Sequence, residues 1–214
     1  MSAPHTVVTA GPGAAPFPAP PWLHGDASLG RRGRRLLARV LALFEQWVVC
    51  GGSKVAYLRR LGVRIGSEVA LLNDVRDFGS EPWLIELGSR VNIASRVVFI
   101  NHDGPSRVFR HRIPGGSAYG NRFGTIRVLD NCVIGVGSVL LPGITIGPDS
   151  IVGANSVVTR DVPQQTVVGG VPARVLSTLG EYMDRYRATM IPGLSSNRRE
   201  LRRQLTTRLW GEER

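Results

Sequence analysis

Lysine is almost absent from this chain: Lys54 stands alone among 27 basic residues, and the other 26 are arginine. Part of the formal net charge of +11 therefore reads as a genome-wide preference for arginine codons, not as a purpose-built surface for polyanions. Cysteine is scarce as well. Cys50 and Cys132 form no CxxC pair and no framework, which excludes a disulfide-stapled scaffold and points to a reducing compartment. Of the four histidines, His5 and His24 lie near the start, and only His102 and His111 fall in the patterned region, so a three-histidine metal centre cannot be assembled there. Aromatic residues make up 7%, with no stacking surface and no nucleic-acid motif. No apolar run reaches transmembrane length. The N-terminus lacks the short basic stretch and apolar core of a signal peptide. The expectation is a cytoplasmic protein, with contact at the inner membrane face left open by its basic segments.

What is present falls into four parts. Residues 1–30 (including GPGAAPFPAPP) are rich in Pro, Ala and Gly and bury little, so they are expected to be a disordered arm. Residues 31–60 hold a basic amphipathic helix, with Leu36, Leu37, Val40, Leu41, Phe44, Trp47 and Val48 at helical spacing and Gly51-Gly52 ending it. Its apolar stripe suits packing on its own domain or a membrane surface. Residues 61–176 are the patterned core, interrupted by 105–127. Residues 177–214 form a basic tail in two helices, LGEYMDRYRATM and NRRELRRQLTTRLW, the second with Leu201, Leu205 and Leu209 on one face.

The pattern of the core is a period of six. Val128, Ile134, Leu140, Ile146, Val152 and Val158 are aliphatic and evenly spaced. Cys132, Ser138, Ile144, Ser150, Ser156 and Val162 follow at a second, mostly small position. Leu87, Ile93 and Phe99 lead three earlier units, and Ile65 opens the first. Six fits neither a helix nor an alternating strand. It fits a triangular coil in which each unit gives one short strand and one corner, glycine or a small residue lets the corner bend, and three units make one turn. Turns then stack in parallel at about 4.8 Å, and like residues form interior columns. Pro163 and Pro172 are expected to mark the end of the prism.

The run VIGVGSVLLPGITIGPDSIVGANSVVTRDVPQQTVVGGVPARVL resembles the hexapeptide-repeat acyltransferases, which fold as a left-handed parallel β-helix. DFGSEPWLIELGSRVNIASRVVFINHDG is similar to their sugar and polysaccharide O-acetyltransferase branch, related to the maltose, galactoside and xenobiotic acetyltransferases. The likeness covers roughly residues 60–176. It implies a mainly β fold, a homotrimer with its acyl site in the cleft between subunits, acetyl-CoA as co-substrate, no metal, and a hydroxyl acceptor on a sugar. The left hand comes from the resemblance, since it runs against the usual right-handed crossover.

The repeat breaks at VFINHDGP, residues 98–105, and resumes after a basic segment without period, which must leave the prism as a loop. His102 sits at the root of that loop. A sugar hydroxyl attacking a thioester needs its proton removed as the bond forms, and imidazole is suited to that task and to returning the proton to the departing thiolate. His111, in the loop, is a weaker candidate base. Asp103 is a candidate to orient the imidazole, to cap the turn at Gly104, or to meet the acceptor. The resemblance further implies that the backbone amide of Val136 holds the oxyanion. It places the coenzyme arm against Ala154, with Thr159 and Arg160 after it and Arg174 on the nucleotide phosphates. Ser177 stands where the family often carries a second basic residue. Asn73 and Glu81 are candidates for holding the acceptor.

The reading is an acetyl-CoA-dependent O-acetyltransferase acting directly in a ternary complex, with no nucleic-acid partner. Its rivals are an antibiotic-modifying acetyltransferase of the same fold, a hydratase of the γ-carbonic-anhydrase type, and a non-catalytic β-helix scaffold.

Overall fold

The computed structural model of the protein describes residue 40 and residues 52–108, 112–115 and 120–211. The expected arm, most of the first basic helix, Cys50 and His111 lie outside the described residues. After Gly52 the chain enters helix α1 (Lys54–Arg60), capped by the Ser53 hydroxyl, which accepts from Ala56 N at 3.2 Å. Tyr57 and Leu58 are buried, and Leu58 joins the main core, so α1 closes the top of the prism.

The coils follow in order. The first has β1 (Arg64–Ile65), β2 (Ala70–Leu71) and a short 3-10 turn at Val75–Phe78. The second has β3 (Ile85–Leu87), β4 (Asn92–Ile93) and β5 (Val98–Phe99). An outlying ribbon of β6 (His102–Asp103) and β7 (Arg122–Phe123) comes next. The third coil has β8 (Ile126–Val128), β9 (Val133–Ile134) and β10 (Val139–Leu140), and the fourth has β11 (Ile144–Ile146), β12 (Ile151–Val152) and β13 (Val157–Val158). The last turn bridges at Val162 and runs through β14 (Thr166–Gly169) before β15 (Arg174–Thr178) returns antiparallel to it. The prism thus continues past Pro163, and the chain reverses at 170–173. Helices α2 (Leu179–Tyr186) and α3 (Arg198–Trp210) complete the chain, each with a side-chain cap, from Thr178 and Asn197.

Pairing sorts the strands into three parallel faces: β1-β3-β8-β11, β2-β4-β9-β12-β14, and β5-β10-β13. Registers are strict. Leu87 pairs with Val128 and Val128 with Ile146 on the first face. Ile93 pairs with Ile134 and Ile134 with Val152 on the second. Phe99 pairs with Leu140 and Leu140 with Val158 on the third. Every one of these residues is at most 1% exposed, so the six-residue columns of the sequence are the core. In the first coil, which has no strand on the third face, Phe78 fills the column by stacking on Phe99 with ring centroids 4.8 Å apart.

The corners differ from the sequence expectation in one respect. At most corners the left-handed bend does not sit at the residue that follows the interior one, as it does at Gly79 and Gly147, but two residues further on. There Glu68, Arg90, Arg96, Asn131, Asp149, Asn155 and Gln165 hold φ between 53° and 58°. A left-handed residue with a side chain costs about 1–2 kcal/mol. At five of the seven the compensation is a hydrogen bond, because the amide donates to the previous coil, as from Arg90 N to Ser67 O at 2.8 Å, Asn131 N to Ser89 O at 2.9 Å and Asn155 N to Val136 O at 2.8 Å. The glycine has another cause. A Cβ on Gly135 would lie 2.5 Å from the backbone nitrogen of Ala154 on the next coil. Glycine there permits close stacking rather than a special dihedral angle.

Candidate active site

Two irregularities of the repeat fall on one edge of the prism, where the third face turns into the first. In the second coil this corner is opened by the segment between β5 and β8. In the first coil it is lengthened by residues 79–84, so that Ile65 and Leu87, neighbours in register, lie 22 residues apart instead of the 18 between Val128 and Ile146. Gly79 turns that corner at φ 73° and packs against the Asn101 side chain, which leaves no room for a Cβ. The extra residues carry Glu81 to His102.

Glu81 Oε2 lies 2.7 Å from His102 Nδ1, with side-chain exposures of 18% and 34%. The carboxylate also accepts from Ser80 Oγ at 3.0 Å. An ionised carboxylate only accepts, so the contact selects a proton on Nδ1, and in the neutral imidazole Nε2 then keeps its lone pair. The Phe123 ring lies beside the imidazole, centroids 5.1 Å apart, held there by the β6–β7 ribbon that pairs Phe123 with His102. Glu81, expected on the acceptor side, is thus engaged with the imidazole. Asp103 is not in contact with the imidazole: among the described residues its ion pair is with Arg122 Nε at 4.0 Å, and its buried Oδ1 has no partner there. Asn101, directly before His102, is 2% exposed, and neither of its amide atoms has a partner among the described residues.

The other expected residues divide between two edges. Thr159 and Arg160 are exposed and follow β13, on the same edge as Glu81 and His102. Val136 and Ala154 lie between the second and third faces, each two residues after a paired interior residue. Arg174 joins that second edge, since it pairs with Gly169 beneath Gly153. The amides of Val136 and Ala154 donate to no acceptor among the described residues, so both are open hydrogen-bond donors. Asn73 sits at the top of the same edge, 2% exposed, its Nδ2 donating to Val97 O at 3.1 Å and its Oδ1 unpartnered.

The third face separates the edges. Val136 and the corner after β10 are six residues apart along near-extended chain, roughly 15–20 Å. Within one chain His102 and the Val136 amide therefore lie on different edges. The separating face is apolar: Val98, Val139 and Val157 point outward in register. On the first face the outward row is charged, with Glu86 between Arg64 at 3.9 Å and Arg127 at 3.1 Å.

Cys132, 0% exposed, has its thiol pushed up to about 11 by burial, which makes it an inert core residue. Among the described residues no three His, Cys, Asp or Glu side chains gather as metal ligands. No described helix is long and apolar enough to cross a membrane.

The family "Bacterial transferase hexapeptide (six repeats)" matches residues 125–160, which span the third and fourth coils. Protein CapG of Staphylococcus aureus is 42% identical to this chain over 126 residues, 58% of this chain and 71% of that protein. Galactoside O-acetyltransferase of Escherichia coli is 43% identical over 56 residues, 26% of this chain and 28% of that enzyme. Among solved structures, a hexapeptide-repeat acetyltransferase from Vibrio cholerae aligns at 26% identity and TM-score 0.48, covering 74% of this chain and 97% of its own.

Proposed function

Because this chain belongs to the hexapeptide-repeat acetyltransferase family, we propose that it carries an acetyl group from acetyl-CoA to a hydroxyl of a sugar or polysaccharide precursor, with His102 as general base. The observation that carries this reading is the 2.7 Å contact between Glu81 and His102 Nδ1, which leaves Nε2 ready to accept a proton. The left-handed sense of the coil belongs to the same reading.

His102 Nε2 takes the acceptor hydroxyl proton as its oxygen attacks the thioester carbonyl. Glu81 stabilises the imidazolium that forms. The Val136 N–H donates to the oxyanion of the tetrahedral intermediate. On collapse the C–S bond breaks, and the imidazolium returns its proton to the departing thiolate. Such a base contributes roughly 10²–10⁴ in rate. The open Ala154 amide, beside a side chain no larger than methyl, suits a carbonyl of the pantetheine arm. Arg160 and Arg174, both exposed, suit the phosphates.

The site is assembled by three copies. A ring of three prisms with the valine-bearing third faces inward sets the third-to-first edge of each copy against the second-to-third edge of the next. His102 of one copy then meets Val136 of its neighbour, and the same packing buries Val98, Val139 and Val157. Each site draws Arg160 from one chain and Arg174 from the other.

Calorimetric titration with acetyl-CoA tests the donor, on wild type and on Arg160→Ala/Arg174→Ala. Saturable binding, weakened about tenfold or more in the double variant, is the expected outcome. A folded trimer that binds no acetyl-CoA would return the chain to the scaffold reading.

A further inference from the structure

The top of the second-to-third edge holds groups that the chemistry above does not use. Helix α1 sets Lys54 over the first coil, where its half-buried ammonium donates to Leu71 O at 3.2 Å and Asn73 O at 2.9 Å. Beside it opens a cleft of about 250 Å³ lined by Lys54, Leu72, Asn73, Asp74 and Val75. Three features of that lining point to a ligand.

The first is charge. Asp74 is held by Arg76, at 2.9 Å and 3.0 Å to its two oxygens, and the same guanidinium lowers its carboxyl to about 2. Asp77 is occupied as the cap of the adjoining turn, accepting from Asp74 N at 2.9 Å. Lys54 has no carboxylate within ion-pair distance among the described residues: Asp74 attracts it from further off, but that carboxylate is already paired with Arg76, so the Lys54 charge is only partly offset by Asp74 and two carbonyl dipoles. The second is the Oδ1 of Asn73, which lies 2% exposed without a donor. Buried polar atoms are nearly always satisfied; Asn73 lines the cleft, and a rotation of its side chain would offer this walled-off oxygen to a hydroxyl there. The third is Leu72, 62% exposed, an apolar shelf such as the face of a sugar ring covers.

The register fixes how far this cleft is from the chemistry. Asn73, Ser95 and Val136 each follow by two the paired residues Leu71, Ile93 and Ile134. The cleft is therefore two coil spacings, about 10 Å, above the Val136 amide. The coenzyme residues lie below it, at Ala154 and Arg174. An acceptor must approach from the remaining side, past Ser95.

We propose that this cleft anchors the acceptor, and that Lys54 there meets an anionic group, carboxylate or phosphate, carried about one sugar unit from the hydroxyl that is acetylated. Asn73 Oδ1 accepts from a ring hydroxyl and Leu72 covers the apolar face. The inference rests on the reading of Val136 as the transfer point for its direction, but its test does not need turnover.

Lys54 is the only lysine in the chain, so its ε-amine gives a single mass-spectrometric signal after brief labelling with an amine-reactive acetyl ester. The labelling rate is followed in wild-type protein with glucuronate, glucose 1-phosphate and glucose at matched ionic strength, with the α-amine as internal control. The expected result is saturable protection of Lys54 by one or both anionic sugars, about tenfold at ten times the dissociation constant, and none by glucose. Protection by glucuronate alone assigns a carboxylate, and by glucose 1-phosphate alone a phosphate. Equal protection by glucose, or no protection by either anion, overturns the inference. If neither anion protects Lys54 while acetyl-CoA still binds, only the anionic acceptor falls. If acetyl-CoA does not bind while Lys54 is protected, the anion site stands and the transfer reading falls.

Discussion

Glu81→Gln separates two roles for this carboxylate. The substitution keeps the shape of the side chain and its reach to His102, now 2.7 Å away, but replaces an acceptor by an amide that can donate. An amide N–H facing Nδ1 stabilises the tautomer with the proton on Nε2, the wrong nitrogen for a base. It also leaves the imidazolium of the transition state without a counter-charge. Loss of the analogous carboxylate in a serine-protease triad costs about 10⁴ in kcat. The pair here is partly exposed, so solvent screens part of the effect and the expected loss is about 10²–10³. That corresponds to about 3–4 kcal/mol of transition-state stabilisation. The assay is steady-state release of CoA thiol with the acceptor varied, beside a melting curve and an acetyl-CoA titration. The loss is expected in kcat, with the acetyl-CoA dissociation constant unchanged. Glu81→Asp, still a carboxylate, should recover part of the rate. A variant that keeps kcat and instead raises the acceptor KM refutes the argument and makes Glu81 an acceptor contact.

Mixing His102→Ala with Ala154→Trp tests the shared site. Neither homotrimer should turn over, since one lacks the base and the other fills the exposed position where the pantetheine arm is proposed to lie. Co-refolded equal mixtures should regain about a quarter of wild-type activity by random assembly, and no recovery would mean that each site lies within one chain. Val139→Glu, on the apolar third face, should move the sedimentation profile from trimer towards monomer and abolish turnover while the far-ultraviolet spectrum is kept. An intact, active trimer would require another inward face. The Cys132 thiol, raised from 9.0 to about 11 by burial, is protonated in the native state where the unfolded chain has already lost its proton. Its stability contribution is therefore complete below pH 9 and is lost as pH rises towards 11. Melting temperature should fall more steeply over that window in wild type than in Cys132→Ala, and parallel curves would contradict the assignment.

The interior columns were legible because each position repeats one physical demand. Val128, Ile134 and Leu140 announce their burial by type and spacing alone, and the structure leaves each 0% exposed. The corners were read less well. A glycine in phase suggests a dihedral need, yet the left-handed φ falls on Asn131, Asp149 and Asn155, residues that tolerate it and whose amides are satisfied by the coil before. The tail helices were visible from the spacing of their apolar residues, such as Leu201, Leu205 and Leu209 on one face. The Glu81–His102 contact was not. Its partners are 21 residues apart, close to one coil, but the four extra residues of the first coil hide the phase. The signal that marks them is the irregularity itself, because both departures from the period fall on one corner.

A stricter use of the period would also have separated the two halves of the site. A period of six assigns each residue a depth within its unit, but the coil repeats only every eighteen, and the edge a residue occupies depends on which of three faces its unit builds. Val136 and Ala154 are eighteen apart and share an edge. Thr159, five residues beyond Ala154, has crossed the third face to the other one. His102 comes after Phe99 and Thr159 after Val158, both at the corner that leaves the third face, so His102 belongs with Thr159 and not with Val136. That assignment follows from the sequence once Phe99, Leu140 and Val158 are recognised as one column. It makes an oligomer a chemical requirement of the proposed reaction, because no rearrangement of a rigid three-faced prism brings two of its edges to a common atom. A monomeric variant with intact coils must then be inactive however well it binds acetyl-CoA.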